Sequence, residues 1–151
     1  MTSVLPDRAV ISVGGEGRVS FLEGLLSCRV EGIVPGELRY GALLTPQGKI
    51  VSDMFLHAFE DRIALDVPAD AADDLVKRLT LYKLRAPVTV ARTDEAVVVG
   101  DGPADPRAEG VGGRAVAPAG AVRDEAAIAI YHAARVARGL PDAVADFGLG
   151  E

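Results

Sequence analysis

The sequence predicts an α+β domain, built mostly from antiparallel strands with three helices. Two observations carry this. Short apolar segments follow one another with tight-turn residues between them, as in hairpins. The helical patterns sit between some of these runs and do not alternate regularly with strands, which argues against a doubly wound parallel sheet.

The elements follow in order. Residues 5–13 read as a strand ending at Gly14-Gly15. Residues 18–27 read as a short helix, with Val19, Leu22 and Leu26 on one face and Phe21 and Leu25 beside it. Val34-Pro35-Gly36 signals a turn. Residues 39–44, 49–59 and 62–67 form three strands of a meander. Thr45-Pro46-Gln47-Gly48 supplies the first reversal and Glu60-Asp61 the second. Asp70 is a candidate N-cap, with Asp73 and Asp74 in the first turn, for a helix to about Thr80 that buries Ala71, Leu75 and Leu79. Pro87 pushes Ala86 to extended geometry, and 88–91 and 96–100 are two more strands. The Gly-, Pro- and Ala-rich stretch 101–120 reads as a surface loop or linker. Asp124 opens a last helix to about Arg138, with Ala126, Ile130, Ala133 or Ala134, and Ala137 on its inner face. Gly139 and Pro141 stop it.

The bulk numbers fit one soluble globular domain. The chain has 151 residues, 49% hydrophobic and 25% charged, with a formal net charge of −6. Such a balance disfavours direct DNA binding, which needs clustered basic surface. It leaves room for a local basic pocket for a small anion. The single cysteine, Cys28, cannot form an internal disulfide or hold zinc without several other ligands. No signal-peptide pattern or membrane-length apolar run occurs, so a cytoplasmic location is expected, with no membrane association and no metal.

The stretch from Gln47 to Asp53 holds the most chemistry. In a strand, Val51, Asp53, Phe55, His57 and Phe59 share a face, which sets Asp53 among apolar neighbours. A carboxylate there can accept from a pterin-like N–H edge or act as a general base. It can equally be a strand-end residue bonded to a backbone amide. Lys49 is either a point charge for an anionic tail or a solvated turn residue. His57 reads as structural. Tyr82, Lys83 and Arg85 are either a carboxylate-binding cluster or cations at a helix C-terminus. Arg135 and Arg138 fit the same dipole explanation. The Gly14-Gly15-Glu16-Gly17 run lacks the ending of a phosphate-binding loop. Cys28 reads as a packed, inert thiol.

The order of five segments, "VSFLEGLLSCRV", "YGALLTPQGKIVSDMFLHAFEDRIALDVP", "LTLYKLRAPVTV", "DPRAEGVGGRAVAP" and "YHAARVARGLPDAVADFGLGE", resembles the YgfZ-like family, related to the glycine-cleavage T-protein. The resemblance covers nearly the whole chain. It implies a T-protein-like folate-binding domain over residues 1–151, tetrahydrofolate as the cofactor, and a role in iron–sulfur protein assembly or repair with iron–sulfur client proteins as partners. It also implies folate-binding residues: Lys49 and Asp53 in the family's "GK…D" strand, Tyr82 and Arg85 in a "Y…R" segment, and Arg135 before Gly139-Leu140-Pro141. Several departures bear on this, the first being Ser27-Cys28-Arg29 where the family often has Thr-x-Asp after the first helix. The T-protein's paired acids are Ser52-Asp53 here, and its nearby glutamate is missing from Val136-Ala137-Arg138, which counts against an aminomethyltransferase. The family's Lys-Gly-Cys-Tyr-x-Gly-Gln-Glu segment is absent. The chain is therefore expected to be the N-terminal portion of a longer fold, or a reduced relative. An uncatalytic, self-associating module, a homo-oligomer through an exposed half-built pocket, is the alternative.

Overall fold

The structure, a computed structural model, describes residues 2–140. Its elements are β1 (Ser3–Val4), β2 (Arg8–Gly14), α1 (Arg18–Glu23), β3 (Leu38–Leu44), β4 (Ile50–Ala58), β5 (Arg62–Pro68), α2 (Ala69–Lys83), β6 (Thr89–Arg92), β7 (Ala96–Ala104), β8 (Gly113–Ala117) and α3 (Glu125–Ala137). The fold is α+β, as the sequence predicts, with three helices among the described residues. Every strand pairing is antiparallel. One sheet has five strands in the order β3-β4-β5-β2-β6, and a smaller one runs β1-β7-β8.

Strand alternation gives the large sheet two buried faces. Ile11, Val13, Met54, Leu56, Ile63, Leu65 and Val67 face one core with Leu22 of α1 and Leu75 and Leu79 of α2. Val10 and Ala64 face a second core with Leu5, Val97, Val99 and Tyr131, under the small sheet and α3. The site described below lies on this second face.

The meander is present, and a bulge refines it. Leu43 pairs with Ser52 but Leu44 pairs with Ile50, so Val51 is an extra residue. Val51 packs with the α2-side core, while Asp53, Phe55 and His57 keep to the second face. The expected shared face therefore loses Val51.

Other expectations are corrected. The expected strand 5–13 begins only at Arg8, because residues 5–7 turn between it and a separate short strand, β1, which pairs with β7 while β2 pairs with β5. The first helix stops at Glu23 and not at Ser27. Gly24 caps it, the Ser27 N–H donates to the Ala42 carbonyl, and Leu26 bridges to Leu43, so β3 captures the segment. The second helix starts at Ala69 after Pro68 and runs to Lys83. Asp70 lies in its first turn and is no side-chain cap, and Ala72 is fully buried in place of Ala71.

The 101–120 stretch is largely sheet. β7 continues to Ala104, and β8 pairs along it from Ala96↔Ala117 to Ala104↔Gly113. Glycine hid this from pattern reading and also enables it, since a Cβ on Gly113 would lie 2.5 Å from the Gly102 carbonyl oxygen. In α3, Asp124 is the N-cap as read, accepting from the Ala126 and Ala127 amides. The buried face is rotated by about one residue, roughly 100°, from the expected one: Ala127, Tyr131 and Arg135 point inward, Ala134 is half-buried, and Ile130 is 57% exposed. Pro141 and the residues after it lie outside the described residues.

Candidate ligand site

The second face of the large sheet carries charge where strand propensity would put aliphatics. Pairing of Phe55 with both Tyr40 and Asp66 brings β3, β4 and β5 side chains together, and Val10↔Asp66 sets Arg8 of β2 diagonally beyond. Asp66 is completely buried. It accepts from Arg8 Nε (2.8 Å), from Arg114 Nε (2.5 Å) and Nη2 (3.1 Å), and it contacts His57 Nε2 at 3.1 Å. Arg8 Nη2 also donates to the Asp66 carbonyl at 2.7 Å. Burial opposes the charge on Asp66, but Arg114, Arg8 and His57 outweigh it and hold its carboxyl well below the usual carboxylate range. Arg114 feels the same burial, and Asp66 more than offsets it, so its guanidinium is held more firmly charged.

The network continues outward. Arg114 Nη1 donates to the Tyr131 hydroxyl at 3.0 Å, and Arg107, anchored on Asp105, reaches the same oxygen at 3.3 Å. Three guanidiniums gather around the Phe55 ring: Arg114 at 4.0 Å, Arg107 at 4.8 Å and Arg8 at 5.9 Å from its centroid. Arg107 also lies 5.2 Å from the centroid of Tyr40.

Asp53 sits at the edge of this cluster, 8% exposed. Its Oδ2 accepts from the Tyr40 hydroxyl at 2.5 Å. Its Oδ1 has no hydrogen-bond partner and is the one buried side-chain polar atom in that condition among the described residues. Arg8 Nη1 stands 3.9 Å from it, within ion-pair reach but too far for a hydrogen bond. Tyr40 and Arg107 form part of the wall of an open cleft of about 590 Å³, with Cys28, Arg29, Glu31, Arg39 and Pro106. Asp53 is thus one hydrogen bond behind the cleft wall.

The residues singled out in the sequence are dispersed. Asp53 is in the cluster. Lys49 is exposed in a different cleft of about 330 Å³ against α2, with Asp70, Asp74 and Arg78. Tyr82 and Arg85 are exposed at the end of α2. Arg135 is buried at the end of α3, donating to the Leu140 carbonyl and His132 Nδ1. His57 is structural, as expected, through Asp66. Cys28 is half-buried, and burial pushes its thiol pKa up. Sequence reasoning misses the residues that contact Asp53, Tyr40 and Arg8, and the cluster behind them, Asp66, Arg107, Arg114 and Tyr131. Their signal was a charge inside an apolar run, as in "IALDVP" and "GGRAVAP". Among the described residues no group of three or more His, Cys, Asp or Glu could hold a metal.

The described residues have the fold of the glycine-cleavage T-protein. They superpose on a structure of aminomethyltransferase T of the glycine cleavage system from Bartonella henselae with a TM-score of 0.60. That match has 19% identity and covers 93% of this chain and 32% of that one. By sequence, the chain is homologous to the IBA57/YgfZ proteins. It is 29% identical to a mitochondrial iron–sulfur cluster assembly factor IBA57 homolog of Mycosarcoma maydis, over 95% of this chain and 44% of that protein. It is 25% identical to the tRNA-modifying protein YgfZ of Sodalis glossinidius, over 64% of this chain and 29% of that protein. The chain therefore spans less than half the length of either curated relative. No family profile matches it.

Proposed function

We propose that the chain is a tetrahydrofolate-binding accessory protein for iron–sulfur cluster assembly or repair, and that Asp53 receives the pterin edge. The single observation behind the folate part is the bare Oδ1 of Asp53. A buried carboxylate oxygen without a donor is costly, and native proteins rarely leave one unless something else fills it. A pterin's amide and amino N–H groups are donors of the right kind, and the cleft beside Tyr40 lies within the size range of small-molecule sites. Support for the iron–sulfur part is homology to a protein named for that role. Lys49, Tyr82, Arg85 and Arg135 stay in the proposal as outlying contacts, although the described residues do not bring them to Asp53. A cytosolic setting belongs to the same proposal and rests on the sparse cysteine content.

Aminomethyl transfer fits less well. Ser52, in place of the first acid, is fully buried and its hydroxyl donates to the Asp53 carbonyl, which leaves Asp53 as the lone acid of the pair. Calorimetric titration with 5-formyltetrahydrofolate tests the folate reading. Weak binding is expected from this chain, reduced about 10-fold by Asp53→Asn, the worth of one charged hydrogen bond. The activity of iron–sulfur enzymes, compared between cells with and without the protein, tests the client role. Absence of binding at millimolar folate would overturn the folate reading and leave a self-associating module, which the bare apolar side of α3 favours.

A further inference from the structure

We propose that the outer face of α3 is a homodimer interface, on which a second copy of this chain packs its own α3 antiparallel about a twofold axis. The inference does not depend on the folate reading.

α3 has two apolar faces. Ala127 and Tyr131 are buried on the inner one, and Ile128 packs against the same second core. The outer face carries Ala126, Ala129, Ile130, Ala133, Val136 and Ala137, all exposed and none of them polar. Ile130 is 57% exposed and Val136 63%, and Val122, just ahead of the helix, is 77% exposed. A surface helix normally turns polar residues to water, and a helix that is apolar all round is normally covered. Among the described residues nothing covers this face.

Its pattern fits a second copy. Ala126, Ala129, Ala133 and Val136 recur three or four residues apart, the spacing of a seam between two packed helices. Small side chains there let a second helix come close. The seam is also its own complement. Turned end for end, it sets Ala129 against Ala133 of the second copy and Ala126 against Val136 of the second copy, while Ile130 flanks Ile130. The Ala129 and Ala126 contacts then occur twice, as a twofold interface requires. Charge selects the antiparallel sense. Exposed Glu125 opens the helix and exposed Arg138 follows its end. Antiparallel packing brings the acidic start over the basic end and opposes the two helix dipoles, whereas parallel packing would stack Glu125 on Glu125. Glu125 already touches Arg123, and exposed pairs add little energy, so these charges set orientation more than affinity. One helix face is smaller than the roughly 800 Å² per partner of a standard interface, so the dimer is weak, with a Kd on the order of 10–100 µM.

Sedimentation velocity of the unmodified chain from about 5 to about 500 µM is expected to show monomer giving way to dimer. Ala133→Asp puts a charge into the seam without entering the core, because Ala133 is exposed. It is expected to weaken the dimer at least about 10-fold, and Ala133→Lys to do the same. Disulfide crosslinking reads the orientation. Ala126→Cys and Val136→Cys proteins are oxidised separately and as a mixture, with the unmodified chain as the control for Cys28. The mixture is expected to yield a covalent dimer containing one of each, and either protein alone very little. A dimer indifferent to both Ala133 changes would overturn the proposal, as would crosslinks formed mainly within each single preparation. A chain that stays monomeric throughout would also overturn it, and would leave the face to residues 141–151 or to a different protein.

Discussion

The Tyr40 hydroxyl donates to Asp53 Oδ2 at 2.5 Å, and this bond joins the cleft wall to the buried charge cluster. Burial, and then the hydrogen bond and charge of Asp53, push the Tyr40 phenol above its ordinary range. A raised value in the folded state means that the stabilisation is complete below the unfolded tyrosine value of about 10 and is lost as pH rises beyond it. Tyr40→Phe is expected to cost about 1–3 kcal/mol by stripping Asp53 of its remaining donor. It should also flatten the alkaline loss of stability above pH about 10. Urea unfolding of both proteins across that range checks this. Equal alkaline sensitivity would refute it.

Asp66 sets the acid limit. Its folded value is depressed, so its contribution is present above the unfolded aspartate value of about 3.9 and declines as pH falls through the folded one. Asp66→Ala leaves Arg8 and Arg114 buried without their anion and is expected to destabilise by about 3–5 kcal/mol. The urea midpoint at neutral pH reads this directly. A loss under about 1 kcal/mol would mean that water or rearrangement serves both arginines.

Gly41 is needed because Cys28 lies against it. A Cβ at Gly41 would stand 2.5 Å from Cys28 Sγ, 2.6 Å from its Cβ and 3.1 Å from its backbone nitrogen. Gly41→Ala is expected to cost about 1–3 kcal/mol as overpacking. Cys28→Ala should rescue it only in part, since the Cβ contact remains. Thermal melts of the two single variants and the double give the answer.

Leu84 ends α2 with φ at +43°, the one left-handed non-glycine among the described residues, and its side chain is 83% exposed. Leu84→Gly relieves that backbone without emptying any core. A gain of up to about 1 kcal/mol is expected, trimmed by the greater freedom of glycine in the unfolded chain. A fall in melting temperature would show that the leucine makes contacts its exposure conceals.

The outer face of α3 provides the sharpest contrast with pattern reading. Ile130→Lys is expected to change stability by less than about 0.5 kcal/mol, as at other exposed positions. Ala127→Lys, on the buried face, should unfold the protein. Sedimentation of Ile130→Lys against the unmodified chain also reports whether this apolar face drives self-association.

The α+β class, the meander, the Asp124 cap and the placing of Asp53 and His57 on one face are legible in the sequence, because each depends on local periodicity or on turn and cap chemistry. The sequence also carried the resemblance that the homology supports. Tertiary structure decided the rest. β8 is held in place by β7, not by its own glycine-rich composition. The inner face of α3 is set by Tyr131, which packs in the second core and bonds Arg114 and Arg107, and not by the neighbouring apolar stripe. The buried cluster beside Asp53 joins Arg8, Asp66 and Arg114, which are far apart in the chain. Local patterning cannot report a distance between residues that only sheet pairing brings together.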